Sequence, residues 1–212
     1  MTDLISPQVA QYLDTLVPPR DAEMMAMEEI AAKTKFPIIG PASGHLCYLV
    51  ARMIGAKRIF ELGSGYGYST AWFAKAVKEN GGGEVFHVVW DAELSRRARN
   101  HLAKLGLDAV VTFRESEAVQ ALRETEGSFD LIFNDIDKQD YPASLEIIES
   151  KLRPGGVLII DNMLWSGQIF DKTDTSPATE GVREFTRRIT HDPRWITGLL
   201  PVRDGVIVAM KK

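Results

Sequence analysis

Two stretches of this sequence hold residues whose types and spacing could do chemistry. The first is Glu61-Leu62-Gly63-Ser64-Gly65-Tyr66-Gly67-Tyr68-Ser69, an acid followed by three alternating glycines. Glycines let a backbone turn sharply and approach a ligand closely, because no Cβ stands in the way. A dinucleotide fingerprint sets its third glycine three residues beyond the second, so that a pyrophosphate sits over a helix N-terminus. Here the glycines are Gly63, Gly65 and Gly67, and the wider spacing is absent. A carboxylate at Glu61 would repel a pyrophosphate and suit a cation. S-adenosylmethionine offers an ammonium and a sulfonium and no phosphate, which makes a methyl donor the better guest.

The second stretch is split. An apolar run ends in Asn134-Asp135-Ile136-Asp137-Lys138, and another ends in Asp161-Asn162. Asp135, Asp161 and Asn162 offer only hard oxygens, which suit Mg²⁺, Mn²⁺ or Ca²⁺ better than a thiolate-loving metal. Taken singly, Asp135 also reads as a helix cap and Asp161-Asn162 as a turn. Lys138, three residues past Asp135, can address the same cavity or stand in solvent.

The elements around these residues must position them. Helical periodicity covers residues 7–16, 21–33 and 42–54, ahead of the glycine loop. Beyond it, strand-like runs at 59–62, 85–89, 110–113, 131–134 and 157–160 alternate with helical patterns at 69–78, 92–105, 116–123 and 141–152. That alternation predicts an α/β doubly wound, mostly parallel sheet with right-handed crossovers. Gly81-Gly82-Gly83 and Pro154-Gly155-Gly156 read as turns. After a helix near 179–188, strands at 195–200 and 206–210 flank Pro201-Val202-Arg203-Asp204-Gly205, a hairpin that turns the last strand antiparallel. In a parallel sheet, ligands bind outside the carboxyl ends of the strands. The glycine loop and both oxygen clusters fall at that edge. Residues 163–178 are polar and turn-rich, as an active-site loop would be.

Composition narrows the class. With 212 residues, 45% of them hydrophobic, the sequence is expected to build a single α/β domain over 1–212, with helices in 1–55 and the sheet core in 56–212. A net charge of −4 with scattered basic residues leaves no nucleic-acid footprint. The lone Cys47 excludes an internal disulfide and reads as a small core residue. No basic leader and no apolar run of roughly 20 residues is present, so a cytoplasmic protein without a membrane partner is expected. His45, His87, His101 and His191 are too dispersed for metal-ligand spacing. Trp165, Phe170 and Trp195 read either as an acceptor pocket or as packing, and Met24, Met25 and Met27 as a partner surface or as core.

Taken jointly, these residues resemble the metal-dependent class I methyltransferases of the caffeoyl-CoA and catechol O-methyltransferase family. The likeness runs from Pro37-Ile38-Ile39-Gly40-Pro41-Ala42-Ser43-Gly44, through Glu61 to Ser69 and Phe133 to Lys138, to Asp161-Asn162 and the closing Leu200-Pro201 and Asp204-Gly205. The resemblance implies a seven-stranded Rossmann-like sheet with the last strand antiparallel, N-terminal helices over the site and a homodimer. It implies methyl transfer from S-adenosylmethionine to a hydroxyl of a small catechol-like phenol, assisted by a divalent cation, magnesium first. Carried over by position, Asp135, Asp161 and Asn162 hold the cation and Lys138 is the general base. Ile39, Glu61, Gly63, Gly65, Gly67, Ser69 and Asp135 face the donor.

The sequence departs from that pattern on the nucleoside side. Where the family carries an acid after the second strand for the donor ribose, this chain has Val89, with Trp90 and Asp91 following. After the third strand, where the family carries a glycine near the adenine, this chain has Arg114-Glu115-Ser116-Glu117. Asp91 and Glu117 are the acids offered to that half, and Asp91 reads first as a helix cap. Trp90 would cover an adenine or pack. Ser43 gives a distal anion on the acceptor no basic partner. These departures keep open an alternative, a degenerate relative that binds a nucleoside or metal without turnover.

Overall fold

The computed structural model describes residues 5–212. Its centre is one seven-stranded sheet in the order β3-β2-β1-β4-β5-β7-β6. The strands are β1 (Arg58–Leu62), β2 (Glu84–Val89), β3 (Val111–Glu115), β4 (Phe129–Asn134), β5 (Leu152–Ile160), β6 (Trp195–Leu200) and β7 (Val206–Lys211). The first five pair in parallel, and β7 lies antiparallel between β5 and β6. Parallel strands are buried on both faces, which is why their sequences read as continuous apolar runs.

The helices are α1 (Pro7–Thr15), α2 (Ala22–Thr34), α3 (Gly40–Met53), α4 (Tyr68–Glu79), α5 (Ala92–Lys104), α6 (Ala118–Glu124), α7 (Tyr141–Lys151) and α8 (Pro177–His191). Two cores result. Ile59, Leu131, Phe133 and Ile159 point into the layer built with α2, α3 and α4, where Met24, Met27 and Cys47 are buried. Phe60, Leu62, Ile132 and Ile160 point the other way, onto Tyr141, Leu145, Val182 and Phe185 of α7 and α8. Met24 and Met27 are thus core, while Met25 is 46% exposed. No helix among the described residues is long and apolar enough to cross a membrane.

Register aligns the site. Leu62 pairs with Asn134, and Asn134 pairs with Ile160, so the three strands end level at one edge. The residues just beyond stay tied: the Asp135 amide donates to Leu62 O at 2.9 Å, and the Asp161 amide to Asn134 O at 3.3 Å. Between β1 and β4 the strand order reverses, which makes this the switch point where open α/β sheets bind ligands. Pro154-Gly155-Gly156 does not end an element as the sequence predicts. The ladder passes from the Phe129–Leu152 pair to the Leu131–Val157 pair, and these residues bulge within β5.

Candidate functional site

The glycine loop is built by close approach of backbone. A Cβ on Gly63 would lie 2.5 Å from Asp135 O, so the loop can follow β1 only with glycine there. Gly67, at φ 93°, is the N-cap of α4, and a Cβ on it would press on Ala98 and Leu102 at 3.0 Å. Gly65 has φ 50° and faces the Phe36 ring. Ile39 is buried at the start of α3.

Glu61 lies within this loop's foundation, fully buried. Thr70 Oγ1 of α4 donates to Glu61 Oε2 at 2.5 Å and lies 2.9 Å from His87 Nδ1 of β2. Glu61 Oε1 and His87 Nε2 have no partner. Burial raises the Glu61 carboxyl from its ordinary 4.5 to about 7, against the hydroxyls of Ser69, Thr70 and Ser64. Burial, with Arg99 nearby, drives His87 down to about 3, which keeps its ring neutral. The buried acid therefore sits among neutral groups, with one oxygen open to a cation.

The second cluster is assembled from three segments. Lys138, on a single turn after β4, donates to Asp135 Oδ1 at 2.7 Å and to Ile136 O at 3.1 Å. Asp161 is 1% exposed, and its Oδ2 takes Arg203 Nη1 at 3.3 Å while its Oδ1 has no partner. Desolvation, with Asp135 beside it, raises the Asp161 carboxyl, and Arg203 opposes the shift. Asn162, at φ 59°, donates from Nδ2 to Asp204 Oδ2 at 3.1 Å, which leaves its amide oxygen for other partners. Asp204 also accepts from the amides of Leu164 and Ser166, so the β6–β7 turn is fastened to the loop after β5.

Arg203, Asp204, Thr70 and Gly181 take part although sequence reasoning gave none of them a role in the site. Gly181 of α8 packs directly on the Lys138 turn, where a Cβ would come within 2.2 Å of Lys138 O. Tyr141 Oη donates to Asp161 O at 3.0 Å and supports the cluster from below. The acids assigned to the nucleoside half have other partners. Asp91 caps α5, accepting from Glu93 and Leu94 at 2.8 and 2.9 Å, and Glu117 caps α6 through Val119 and Gln120. Trp90 is 81% exposed and does not pack in the core, whereas Trp195 is buried there. Among the described residues no three His, Cys, Asp or Glu are grouped to hold a metal, and the candidate set is two acids and an amide.

A doubly wound sheet with a buried acid under a glycine loop, and hard oxygens across the switch point, offers a site suited to a cationic ligand. Residues 19–212 match the sequence profile of a family described as O-methyltransferase. A catechol O-methyltransferase of Niastella koreensis is 31% identical over 87% of this chain and 86% of its own length. A caffeoyl-CoA O-methyltransferase of Medicago sativa is 30% identical over 98% of this chain and 90% of its own. The O-methyltransferase from Bacillus cereus, solved in complex with SAH, superposes with a TM-score of 0.87 at 30% identity, covering 97% of both chains. The chain belongs to the O-methyltransferase family, whose class I members draw the methyl group from S-adenosylmethionine.

Proposed function

We propose that this O-methyltransferase methylates one hydroxyl of a small vicinal-diol phenol, with a divalent cation held by Asp135, Asp161 and Asn162. The observation that carries this reading is the buried Asp161 Oδ1, partnerless beside Asp135, with Lys138 and Arg203 on the neighbouring oxygens. A buried carboxylate at Asp161 with a half-buried one at Asp135 beside it is costly unless positive charge compensates them. Two cationic side chains already stand where a cation would, and the donor set is all oxygen. That fits Mg²⁺, Mn²⁺ or Ca²⁺. When bound, such an ion would supply the positive charge that stabilises a phenolate, and a vicinal diol could chelate it.

The remaining work belongs to the chain. Glu61 faces the donor's positive charge through Oε1, and the backbone at Ile39, Gly63, Gly65 and Gly67 with the Ser69 hydroxyl shapes the donor cradle. Asp91 and Glu117 border its nucleoside end, and Asp135 stands between donor and acceptor. Lys138 would first release to solvent the proton it holds against Asp135 Oδ1, as a cation takes its place there, and its neutral Nζ would then take the hydroxyl proton. Transfer forms an oxygen–methyl bond as the sulfur–methyl bond breaks, and the sulfonium leaves as a neutral thioether. Holding oxygen, carbon and sulfur in line can supply as much as about 7–11 kcal/mol.

Exposed apolar residues on α1 and its C-cap (Val9, Tyr12, Leu16) and on α3 (Leu49, Met53) support a homodimer, which sedimentation equilibrium would register. The reading of the site is tested by calorimetric titration with S-adenosylmethionine followed by a screen of diols for methyl transfer. Micromolar donor binding with transfer to diols and none to isolated monophenols is expected. Transfer confined to monophenols would overturn it.

A further inference from the structure

Five non-glycine residues among those described have positive φ: Lys35, Asn162, Trp165, Ser166 and Arg203. Four of them lie in the two segments fastened together at the acceptor side. Such backbone is unfavourable for residues other than Gly, Asn and Asp; Lys35 adopts it as the C-cap of α2, and the other four call for a separate reason. Asn162 tolerates it. Arg203, at φ 52°, has no such allowance, and the turn it occupies is closed by Gly205 donating to Val202 O at 2.9 Å.

What the strained position secures is a guanidinium at the mouth of the site. The Arg203 stem passes Gly40, where even a Cβ would lie 3.8 Å from Cδ. Its side chain is 40% exposed, and one contact at 3.3 Å, to Asp161, is its whole engagement among the described residues. Arginines that serve this fold are used differently. Arg183 donates to Ile169 O, Gln168 O, Asp171 O, Asp174 O and Glu180. An arginine has five N–H donors in a planar fork matched to a carboxylate. At Arg203 most of that fork is unspent.

Charge points the same way. Asp135 and Asp161 are balanced by Lys138 and Arg203. A divalent cation taken up by Asp135 and Asp161 would compete for the Asp161 oxygen that Arg203 holds and free that guanidinium for another anion. We propose that Arg203 is a specificity-determining residue that pairs with a carboxylate carried by the acceptor, so that the preferred substrates are vicinal-diol aryl acids. The proposal rests on the reading of the site above. Ser43, which offered such an anion no basic partner, is buried and does not compete.

The test compares 3,4-dihydroxybenzoate and 3-(3,4-dihydroxyphenyl)propanoate with catechol, in wild type and in Arg203→Gly. Glycine relieves the positive φ while the buried Asp161 loses its partner, so circular dichroism first establishes that this variant is folded. Two readouts are taken: equilibrium binding of each diol to SAH-loaded protein by calorimetry, and steady-state kcat and KM. Wild type should favour the better acid over catechol by about tenfold or more, the strength of a charge-assisted pair. Arg203→Gly should erase that preference, with the change in KM rather than kcat, and Arg203→Lys should restore part of it. Equal binding of acid and catechol by wild type, or a preference that survives Arg203→Gly, would overturn the proposal. Preferential binding of the acid without methyl transfer to any diol would uphold Arg203 and count instead against the reaction proposed above.

Discussion

Glu61 and Asp161 stand on neighbouring parts of one sheet edge, and both are sealed from water, at 0% and 1% exposure. Burial raises both carboxyls, yet their second oxygens are held differently. Glu61 is held by the Thr70 hydroxyl, with neutral His87 behind it. Asp161 is held by the Arg203 guanidinium, and its neighbour Asp135 by the Lys138 ammonium. The donor side is thus an acid without a countercharge, prepared for a ligand that brings its own positive charge. The acceptor side is internally balanced, and its two cations must be redeployed when other charges arrive. One half of the site is a waiting receptor, and the other is an exchangeable ion-pair network. Their demands on pH and on mutation differ accordingly.

That contrast is broken most severely at Asp161. Asp161→Asn keeps the shape of the side chain and removes its charge, and it should lower kcat/KM by at least ~10³-fold, the scale of several kcal/mol that charge stabilisation at such a centre supplies. Circular dichroism should show an intact fold. Lys138→Ala comes next. It should reduce turnover by ~10²–10⁴-fold with donor affinity little changed, as loss of a general base does. An equal loss of donor affinity would mean that Lys138 supports the cradle instead.

On the donor side the effects should be smaller and should depend on pH. On the proposed reading, in which ionised Glu61 faces the donor's positive charge, donor affinity should fall by up to tenfold per unit as pH drops below about 7. Glu61→Gln should flatten that dependence. Stability of the free protein moves in the opposite sense. The folded acid binds its proton up to about 7 and the unfolded one only to its ordinary 4.5, so the folded state holds the extra proton between them. Its contribution to stability is therefore lost as pH rises through that window, and melts at pH 5 and 8 should differ less in Glu61→Gln. The smallest effect is reserved for Asp91→Asn, which preserves the cap on α5. Donor affinity within about threefold of wild type would make Asp91 a cap alone, while a loss near tenfold, read by calorimetry, would give it a hydroxyl-binding role as well.

The sheet was legible because parallel strands are buried on both faces, and the runs 59–62, 85–89 and 131–134 are apolar apart from Glu61, His87 and Asn134. The acids Glu61, Asp135 and Asp161 were legible from their positions at strand ends, which fixed the edge they share before any side-chain geometry was known. Arg203 was not. It lies 42 residues from Asp161 in the chain, inside a hairpin whose sequence signals only a turn. Thr70 and His87 read as a helix residue and an isolated histidine, and only the pairing of β1 with β2 and the packing of α4 on that face join them to Glu61. Gly181 sits in a helix where glycine usually weakens the element, and its role appears once α8 is laid against the Lys138 turn. Pro154-Gly155-Gly156 misled because a bulge and a turn use the same residues. Distances along the chain hid these features; residue types did not.

The most direct measurement of the central claim is methyl transfer from labelled S-adenosylmethionine to 3,4-dihydroxybenzoate, run with Mg²⁺, with chelator, and with Mg²⁺ restored. The account predicts transfer in the first condition, its loss in the second and its recovery in the third, with Asp161→Asn inactive throughout. Transfer that continues undiminished under chelator would contradict it and leave Asp135, Asp161 and Asn162 as structural groups beneath a metal-independent site.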